Sequence, residues 1–400
     1  MNKAYICDYI RTPIGRYGGS LSAVRPDDLC AHTMKALLSR HEGVPGGSVD
    51  EVWIGCANQA GEDNRNVARM AVLLAGMPST VPAVTINRLC ASGLDAVIAA
   101  ARAINVGQAD LAIAGGVESM SRSPLVFAKA ETAFSRKQEV FDTTLGWRFV
   151  NPRLKAEHGV DSMPETAENV ARDFGVTREA QDKFALASQR KAAAAIANGR
   201  MAIEIVPVTI SPRRGPTVTV ANDEHPRETS FAKLSALPAP FAADGTVTAG
   251  NASGINDGAA AMLIASDRAV DQFGLEPLAS ILGGCSAGVE PRVMGIGPAH
   301  STRRLLRQIE LDVEDLDVIE LNEAFASQCL ATMRLLGLSD DCSRVNVNGG
   351  AIALGHPLGM SGARIAGSAA LELSLSNRQT ALATMCVGVG QGVSLALKRA

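Results

Sequence analysis

The sequence predicts an α/β fold built from two related halves, with a long segment inserted between them. Short runs rich in valine, isoleucine and alanine alternate with helix-like segments along the 400 residues, a pattern typical of α/β proteins. A weak internal repeat relates VWIG at 52–55 to VIEL at 318–321, and VTIN at 84–87 to VNVN at 345–348. The separation of roughly 260 positions indicates a duplicated half. Residues from about 121 to 249 interrupt the pattern, because they are richer in charge and proline.

Local patterns predict the individual elements. Residues 91–106 are apolar on nearly all faces and end at Gly107, which predicts a helix buried on most sides and therefore more than one layer. In the inserted segment, 164–174 and 178–198 are helix-like, the second through a run of alanines. Strands are predicted at 52–55, 83–86, 111–114, 318–321 and 381–385.

Composition narrows the class of protein. The chain is 46% hydrophobic with a net charge of −3, so it can bury a large core and does not favour bulk binding to nucleic acid or to an anionic membrane. Asp8 and Arg11 come too early for a signal peptide, and no apolar run approaches the length of a membrane span, so we expect a cytoplasmic protein. The eight cysteines are scattered singly, which argues against disulfides and metal sites.

One cysteine lies in a reactive setting. The sequence NRLCASG at 87–93 places Cys90 between a predicted strand and the predicted buried helix. The N–H groups at a helix N-terminus favour the thiolate, which is the nucleophile that attacks a thioester carbonyl. For an isolated cysteine a buried structural role is the commoner explanation. The motifs that accompany Cys90 favour the catalytic role.

A glycine-rich segment holds one histidine. Residues 348–364 read NGGAIALGHPLGMSGAR, and so many glycines around His356 predict a backbone that passes very close to another part of the chain or to a ligand. A helix is predicted to start near Ser361. An imidazole on such a turn can take a thiol proton and then donate to an oxyanion.

A second cysteine follows the last predicted strand. The sequence CVGVGQG at 386–392 has glycine spacing like that of a dinucleotide loop, but only eight residues follow Gly392, which leaves no room for the rest of such a unit. Cys386 in a tight glycine turn instead suits a proton donor and acceptor beside an oxyanion site.

Two further motifs accompany these. In NEAF at 322–325, Asn322 could cap the following helix or orient a water at a catalytic centre, and the two roles are compatible. Residues 245–261, GTVTAGNASGINDGAAA, are small throughout, which fits either close backbone packing or a bound extended ligand arm.

Together these five motifs, in this order, resemble the thiolase family, and the resemblance covers essentially the whole chain. It implies the thiolase fold, with two α/β halves packed as five layers (αβαβα) and a loop domain between them. The expected boundaries are 1–120 with 250–272 for the N-terminal half, 121–249 for a loop domain that binds coenzyme A (CoA) and makes oligomer contacts, and 273–400 for the C-terminal half. A homo-oligomer is expected, a homotetramer or a homodimer, with the tetramer favoured.

The resemblance also implies roles for individual residues. Cys90 would be the acylated nucleophile, His356 would activate it, and Cys386 would protonate and deprotonate the acetyl carbon. Asn322, through a water, and His356 would form one oxyanion hole, and the N–H groups of Cys90 and Gly388 would form the other. CoA is then a substrate, and no metal or other cofactor is expected. The CoA contacts of the family correspond to Met163, Arg227, Ser230, Phe241, Ala249, Ser253, Met294, Ala324 and Phe325.

Two stretches narrow the resemblance. DTTLGWRFVNP at 142–152 and GVDSMPET at 159–166 resemble the thiolases that cleave 3-oxoadipyl-CoA in bacterial aromatic-acid breakdown. The implied reaction gives succinyl-CoA and acetyl-CoA by ping-pong transfer through acetyl-Cys90. Such a substrate ends in a carboxylate, which needs a charge-assisted partner. Arg148 is the candidate, and a solvated surface arginine is the competing explanation.

Other functions stay open at this point. Ser162 precedes Met163 where many biosynthetic thiolases carry a histidine, so the sequence does not favour acetoacetyl-CoA, yet a general acetyl-CoA acetyltransferase or 3-ketoacyl-CoA thiolase is the nearest alternative. A ketoacyl synthase typically pairs its cysteine with two histidines, or with histidine and asparagine, rather than with a second cysteine. A non-catalytic acyl-CoA binding protein would not need two cysteines and a histidine in reactive settings.

Overall fold

The computed structural model describes residues 2–211 and 214–400 and confirms the predicted alternation of strands and helices. Two predicted strands, 111–114 and 381–385, are longer than predicted. The strands are β1 (Ala4–Arg11), β2 (Gly15–Arg16), β3 (Glu51–Gly55), β4 (Ala83–Ile86), β5 (Leu111–Ser119), β6 (Leu125–Phe127), β7 (Val140–Asp142), β8 (Val208–Ile210), β9 (Val218–Val220), β10 (Asn256–Ser266), β11 (Ala279–Gly288), β12 (Val318–Leu321), β13 (Thr380–Val387) and β14 (Gln391–Arg399).

The helices agree with the predicted ones to within a residue or two, except that the helix after His356 begins three residues before Ser361. They are α1 (Pro26–Ser39), α2 (Val67–Leu74), α3 (Ser92–Asn105), α4 (Pro152–His158), α5 (Met163–Asp173), α6 (Arg178–Ala197), α7 (Arg200–Glu204), α8 (Phe231–Ser235), α9 (Asp267–Phe273), α10 (Gly297–Ile309), α11 (Ala326–Leu335), α12 (Ala351–Leu354) and α13 (Leu358–Leu375).

The strand order shows the predicted duplication. It runs β4-β3-β5-β10-β1 in one half and continues β11-β14-β13-β12 in the other, with β2 beside β10. In the first half β3 is parallel to β5, and β10 and β1 follow antiparallel. In the second half β12, β13, β14 and β11 repeat the same pattern. The halves meet where Tyr5 pairs with Ser280 and Ile6 pairs with Ala279.

One strand of the predicted repeat is shortened to a single bridge. Residues 345–348 should match β4, but Val345 forms only an isolated parallel bridge to Ile319 at the edge of the second half. The cause lies in Asn346, whose left-handed backbone (φ 47°) ends the strand. Its side chain accepts from Leu321 N at 2.8 Å and donates to Leu321 O at 2.9 Å, so an amide side chain replaces the backbone pairing of a strand.

The helices form layers around these strands. α3 and α13 pack against each other between the two halves, with α1 and α2 on the outside of the first half and α10 and α11 on the outside of the second. The order of layers is therefore αβαβα, and three buried apolar cores occupy the spaces between them. α3 is buried on most sides, as predicted. This arrangement brings the N-termini of α3 and α13 to one place.

The inserted segment contains the hairpins β6-β7 and β8-β9 and the helices α4 to α8. A buried ion pair joins it to the first half, because Arg11 on β1 contacts Glu204 at 2.6 Å and Asp223 at 2.7 Å. Among the helices of the described part of the chain, none has the length and apolar character needed to cross a bilayer. The domain boundaries given above stay a prediction.

Candidate active site

Cys90 lies in the tight turn between β4 and α3. Leu89 adopts a left-handed backbone (φ 47°), and its N–H donates to Asn87 Oδ1 at 2.8 Å. The Ser92 hydroxyl closes the turn, since it accepts from Arg88 N at 3.0 Å and donates to Leu89 O at 2.6 Å. A strained turn held by polar side chains presents the thiol in a fixed direction. Cys90 is the one partly exposed member of the site, with the other catalytic candidates buried.

The thiol of Cys90 does not show the acidity that a helix N-terminus predicts. Burial raises its pKa to about 11, although the N–H groups of Gly388 and of Cys90 itself face the sulfur and act in the opposite direction. Desolvation therefore outweighs these two N–H groups, which favours the neutral thiol over the thiolate in the free enzyme. The two N–H groups are nevertheless where an oxyanion hole needs them, beside the atom that attacks.

His356 is buried between the glycine-rich turn and α13. Its Nδ1 lies 2.6 Å from Ser361 Oγ, and that hydroxyl donates to Pro357 O at 2.8 Å. Because the hydroxyl has a single hydrogen, Nδ1 must carry the imidazole hydrogen, which leaves the Nε2 lone pair free. Burial, together with the charge of Arg364, lowers the pKa of His356 to about 3. The ring is therefore neutral at pH 7 and can act as a base.

Asn322 follows β12 and lies beside this base. Its Nδ2 is 3.4 Å from His356 Nε2, and its buried Oδ1 has no protein partner in the described part of the chain. The helix-capping role considered for it is wrong, because α11 starts later, at Ala326, with Phe325 in the cap position. A buried amide oxygen without a partner is available to a water or to a substrate.

Cys386 lies at the end of β13, opposite Gly392 of β14. Burial raises its pKa well above the ordinary value, and the neighbouring Cys90 adds to the rise, which places the two thiols close together. The turn that follows brings Gly388 to the site. A Cβ at Gly388 would lie 3.2 Å from Leu89 and 3.6 Å from Met163 Sδ, so a side chain would narrow the approach to Cys90.

The crossing of α3 and α13 unites these residues. Gly93 follows Cys90 by three residues and Gly359 follows His356 by three, and a Cβ at Gly93 would lie 2.5 Å from Gly359 O. The glycine-rich sequence was predicted to pass close to something, and this close contact is the backbone of α3. Cys90 from one half and His356, Asn322 and Cys386 from the other thereby share one site.

A cavity of about 230 Å³ opens on Cys90. Gly388, Met163, Trp147 and Arg148 are part of its wall. Arg148 is half-buried, and its Nη2 donates to Asn58 Oδ1 at 3.0 Å. Residues 143–148 therefore form part of the cavity wall, and Arg148 is only partly exposed there.

The predicted CoA contacts fall into two groups. Met163, Met294, Ala324 and Phe325 pack against Cys386 in one apolar cluster. Ser253 N donates to Ala324 O at 2.9 Å, beside that cluster.

The other predicted CoA contacts lie in the inserted segment and at its end. Arg227 Nη2 donates to Ala249 O at 2.9 Å. The Ser230 hydroxyl caps α8, and Phe241 is exposed. The structure thus brings five of the nine predicted contacts to the catalytic residues, and it places Arg227, Ala249, Ser230 and Phe241 in the inserted segment.

Two residues of the site were not predicted. The Glu118 carboxylate on β5 accepts from the N–H groups of Ala57, Asn58 and Gly359 at 2.8–3.1 Å, and burial raises its pKa to about 7. Asn58 holds Arg148. A glutamate at the end of an apolar strand is a signal that could have been noticed, since such a residue is rarely buried without a purpose. Nothing local marks Asn58.

Glu118 also belongs to a buried group with Cys56 and Asp63 whose ligand atoms lie within 4.8 Å of one another. Three N–H groups already occupy the Glu118 oxygens, and Gly61 N donates to Asp63 Oδ1 at 2.9 Å. The group is therefore a hydrogen-bonded cluster that ties β5, the segment after β3 and the start of α13 together.

The fold and the site together define an enzyme that transfers acyl groups through a cysteine. Comparison with known proteins narrows this class. The model of the thiolase N-terminal domain matches residues 4–268, and that of the thiolase C-terminal domain matches residues 275–399. The chain belongs to the thiolase family and is an acyltransferase. This assignment decides against the ketoacyl synthase alternative.

Individual relatives cover the full chain. A beta-ketoadipyl-CoA thiolase of Pseudomonas aeruginosa is 60% identical over 99% of both chains. A 3-oxoadipyl-CoA/3-oxo-5,6-dehydrosuberyl-CoA thiolase of Escherichia coli K12 is 59% identical over 100% of both. Among solved structures, the acetyl-CoA acetyltransferase of Bacillus anthracis has a TM-score of 0.93 at 41% identity, covering 100% of this chain and 99% of that one. The expected thiolase fold is confirmed.

Proposed function

We propose that the protein cleaves 3-oxoadipyl-CoA with CoA to give succinyl-CoA and acetyl-CoA, as a step in the breakdown of aromatic compounds by the β-ketoadipate pathway. Relatives about 60% identical over the whole chain carry the names of such enzymes. The observation that carries the proposal is the position of Arg148, a cation in the wall of the cavity that opens on Cys90.

Arg148 suits the terminal carboxylate of the acyl group. It makes no ion pair with any described residue, whereas Arg122 in the same part of the structure pairs with Glu62 at 2.5 Å. A guanidinium held in a partly desolvated cavity without a carboxylate partner favours an anionic ligand. An acetoacetyl group has no charge at that end and would leave Arg148 without a charged partner.

The first half-reaction breaks the bond between C2 and C3. His356 Nε2 takes the proton of Cys90, whose sulfur attacks the C3 carbonyl, and the N–H groups of Cys90 and Gly388 stabilise the oxyanion. When the bond breaks, its electron pair becomes the enolate of acetyl-CoA. Asn322, through a water, and protonated His356 stabilise the enolate oxygen, and Cys386 gives its proton to C2.

The balance of atoms corrects the intermediate expected from the sequence. Attack at C3 leaves carbons 3 to 6 on the sulfur, so 3-oxoadipyl-CoA gives succinyl-Cys90, and acetyl-Cys90 arises from acetoacetyl-CoA. In the second half-reaction the Cys386 thiolate takes the thiol proton of CoA. The CoA sulfur attacks the succinyl group, and Cys90 leaves with the proton held by His356. The succinyl carboxylate proposed to bind Arg148 thus stays on the enzyme between the two half-reactions.

The remaining expectations stay predictions. CoA is proposed as a substrate that enters along the apolar cluster of Met163, Met294 and Phe325, close to Cys386. The homotetramer, the cytoplasmic location and the contacts of CoA with Arg227, Ser230 and Phe241 are carried over from the family resemblance alone.

The test compares substrates and an Arg148→Ala variant. We expect the wild type to prefer 3-oxoadipyl-CoA to acetoacetyl-CoA and to a medium-chain 3-ketoacyl-CoA, measured as kcat/KM from the loss of 3-ketoacyl-CoA absorbance. In Arg148→Ala the ratio of kcat/KM for 3-oxoadipyl-CoA over acetoacetyl-CoA should fall by about 10- to 100-fold, the worth of one charge-assisted hydrogen bond.

Arg148→Lys serves as the matched variant, since it keeps the charge but loses the planar guanidinium that binds a carboxylate through two hydrogen bonds. Its ratio should lie between those of the wild type and Arg148→Ala. If the kcat/KM of the wild type were equal or higher for the substrates without a terminal carboxylate, the protein would be a general thiolase instead. A preference for 3-oxoadipyl-CoA that Arg148→Ala does not change would show that another group binds the carboxylate.

A further inference from the structure

Asn58 lies in the cavity wall, three residues after the end of β3. Its backbone N–H donates to Glu118 Oε1 at 3.1 Å. Its side-chain Nδ2 lies 2.9 Å from Ser123 Oγ, 3.1 Å from Thr143 Oγ1 and 3.2 Å from Thr143 O. Thr143 belongs to the same stretch as Arg148, so Asn58 joins that stretch to the buried cluster around Glu118.

These contacts fix which way the amide faces. The Thr143 hydroxyl donates to Pro124 O at 2.7 Å, and the Ser123 hydroxyl donates to Ser119 O at 3.5 Å. The Thr143 carbonyl can only accept, and the Thr143 hydroxyl donates its hydrogen to Pro124 O, so the amide nitrogen must face these two acceptors. Asn58 Oδ1 therefore faces Arg148, whose Nη2 donates to it at 3.0 Å.

A neutral oxygen in this position has a particular consequence. A carboxylate would hold the guanidinium equally well but would neutralise it, because oppositely charged groups at hydrogen-bond distance interact strongly in a partly desolvated site. The amide oxygen fixes the direction of Arg148 and leaves its positive charge for a ligand. None of the contacts of Asn58 involves the catalytic cysteines or His356.

We propose that Asn58 is a positioning residue that sets the preference of the enzyme for acyl groups ending in a carboxylate. It orients Arg148 through a neutral acceptor and ties it to the Glu118 cluster. This inference rests on the proposed function, because it assumes that Arg148 binds the carboxylate of 3-oxoadipyl-CoA.

The experiment measures the ratio of kcat/KM for 3-oxoadipyl-CoA over acetoacetyl-CoA in Asn58→Asp, in Arg148→Ala and in the double variant. Asn58→Asp keeps the shape of the side chain and places a negative charge on Arg148, so the ratio should fall by about tenfold or more. In the Arg148→Ala background the same substitution should change the ratio by less than about twofold, since the group it acts through is gone.

The double variant separates positioning from general damage, because a merely structural role would lower the ratio equally in both backgrounds. If Asn58→Asp does not fold, Asn58→Ala removes the acceptor without adding charge and should still lower the ratio several-fold in the wild type alone. A wild type that prefers 3-oxoadipyl-CoA with a ratio unaffected by Asn58 variants would overturn this inference and leave the proposed function standing. A wild type without that preference would overturn both.

Discussion

Burial favours the neutral forms of both Cys90 and His356. Burial raises the pKa of the thiol to about 11 and lowers that of the imidazole to about 3, so at pH 7 neither group is charged. An ion pair of thiolate and imidazolium, as a cysteine at a helix N-terminus would suggest, needs the opposite shifts. We therefore expect the proton of Cys90 to move to His356 as the sulfur attacks the substrate carbonyl.

The pH dependence of Cys90 alkylation tests this state. In the free enzyme the rate constant for inactivation by iodoacetamide should rise by about tenfold per pH unit from pH 6 to pH 9, because the thiolate fraction rises in that proportion below the thiol pKa. Mass spectrometry of the peptide that contains Cys90, with Cys90→Ser as the control, assigns the reaction. A plateau with an inflection below pH 7 would instead indicate a preformed thiolate.

At the residue scale the sequence predicted the reactive groups but not the residues that hold the cavity wall in place. Cys90, His356, Asn322, Cys386 and Gly388 come together because each lies in a short motif whose residue types are unusual for a core. Asn58 and Arg148 are 90 positions apart, and only the packing of the inserted segment makes them neighbours. Local sequence shows the helix N-terminus, which favours the thiolate, but not the burial that raises the pKa of the Cys90 thiol.

The middle layer depends on close contact between two helices. Gly93 and Gly362 lie where α3 and α13 cross, and a Cβ at Gly362 would overlap the backbone of Leu94. Since backbone atoms cannot rotate away, a side chain there must push the helices apart. Cys90 precedes one helix and His356 precedes the other, so their separation would also change the geometry of the site.

Gly362→Ala should therefore lower both stability and activity. Alanine favours a helix by about 1 kcal/mol over glycine, but overpacking of this kind costs about 1–3 kcal/mol or more, so the net effect is destabilising. We expect a lower midpoint of urea unfolding and a kcat/KM reduced by about tenfold or more for every substrate. Gly43→Ala is the control, because a Cβ there meets nothing within 4 Å. If Gly362→Ala and Gly43→Ala had the same unfolding midpoint and the same kcat/KM, the helix contact would not have this role.

At the element scale the periodicity of the sequence was a good guide where an element is regular. It located β4 and β12 to the residue, and α3, α5 and α6 to within a residue or two. It failed at 345–348, where Asn346 makes with its side chain the hydrogen bonds of a strand. It also placed the start of α13 too late, because Pro357 precedes the helix and the glycines that follow are helical.

The whole molecule is held together across its insertion by buried charge. Arg11 of β1 contacts Glu204 and Asp223 of the inserted segment, and Arg200 contacts Glu204 at 2.9 Å. Burial would raise the pKa of Glu204, but Arg11 and Arg200 outweigh it and hold the pKa below the ordinary 4.5. A carboxyl with a lowered folded pKa contributes stability that is present above its unfolded pKa and is lost as the pH falls through the folded one.

Arg11→Met should destabilise the protein by about 3–5 kcal/mol at pH 7, because it leaves Glu204 and Asp223 buried with less compensation. The loss, measured by urea unfolding, should shrink as the pH falls toward the folded pKa of Glu204, which lies below 4.5 in the wild type, because protonation removes the charge that Arg11 compensates. Adding Asp223→Asn to Arg11→Met should recover part of the loss, since one uncompensated charge is removed. Arg153→Ala breaks an exposed pair with Glu157 and should change stability by less than about 1 kcal/mol. If Arg11→Met cost no more than this surface variant, the inserted segment would not depend on the buried pair, and its position over the first half would have to come from its other contacts with that half.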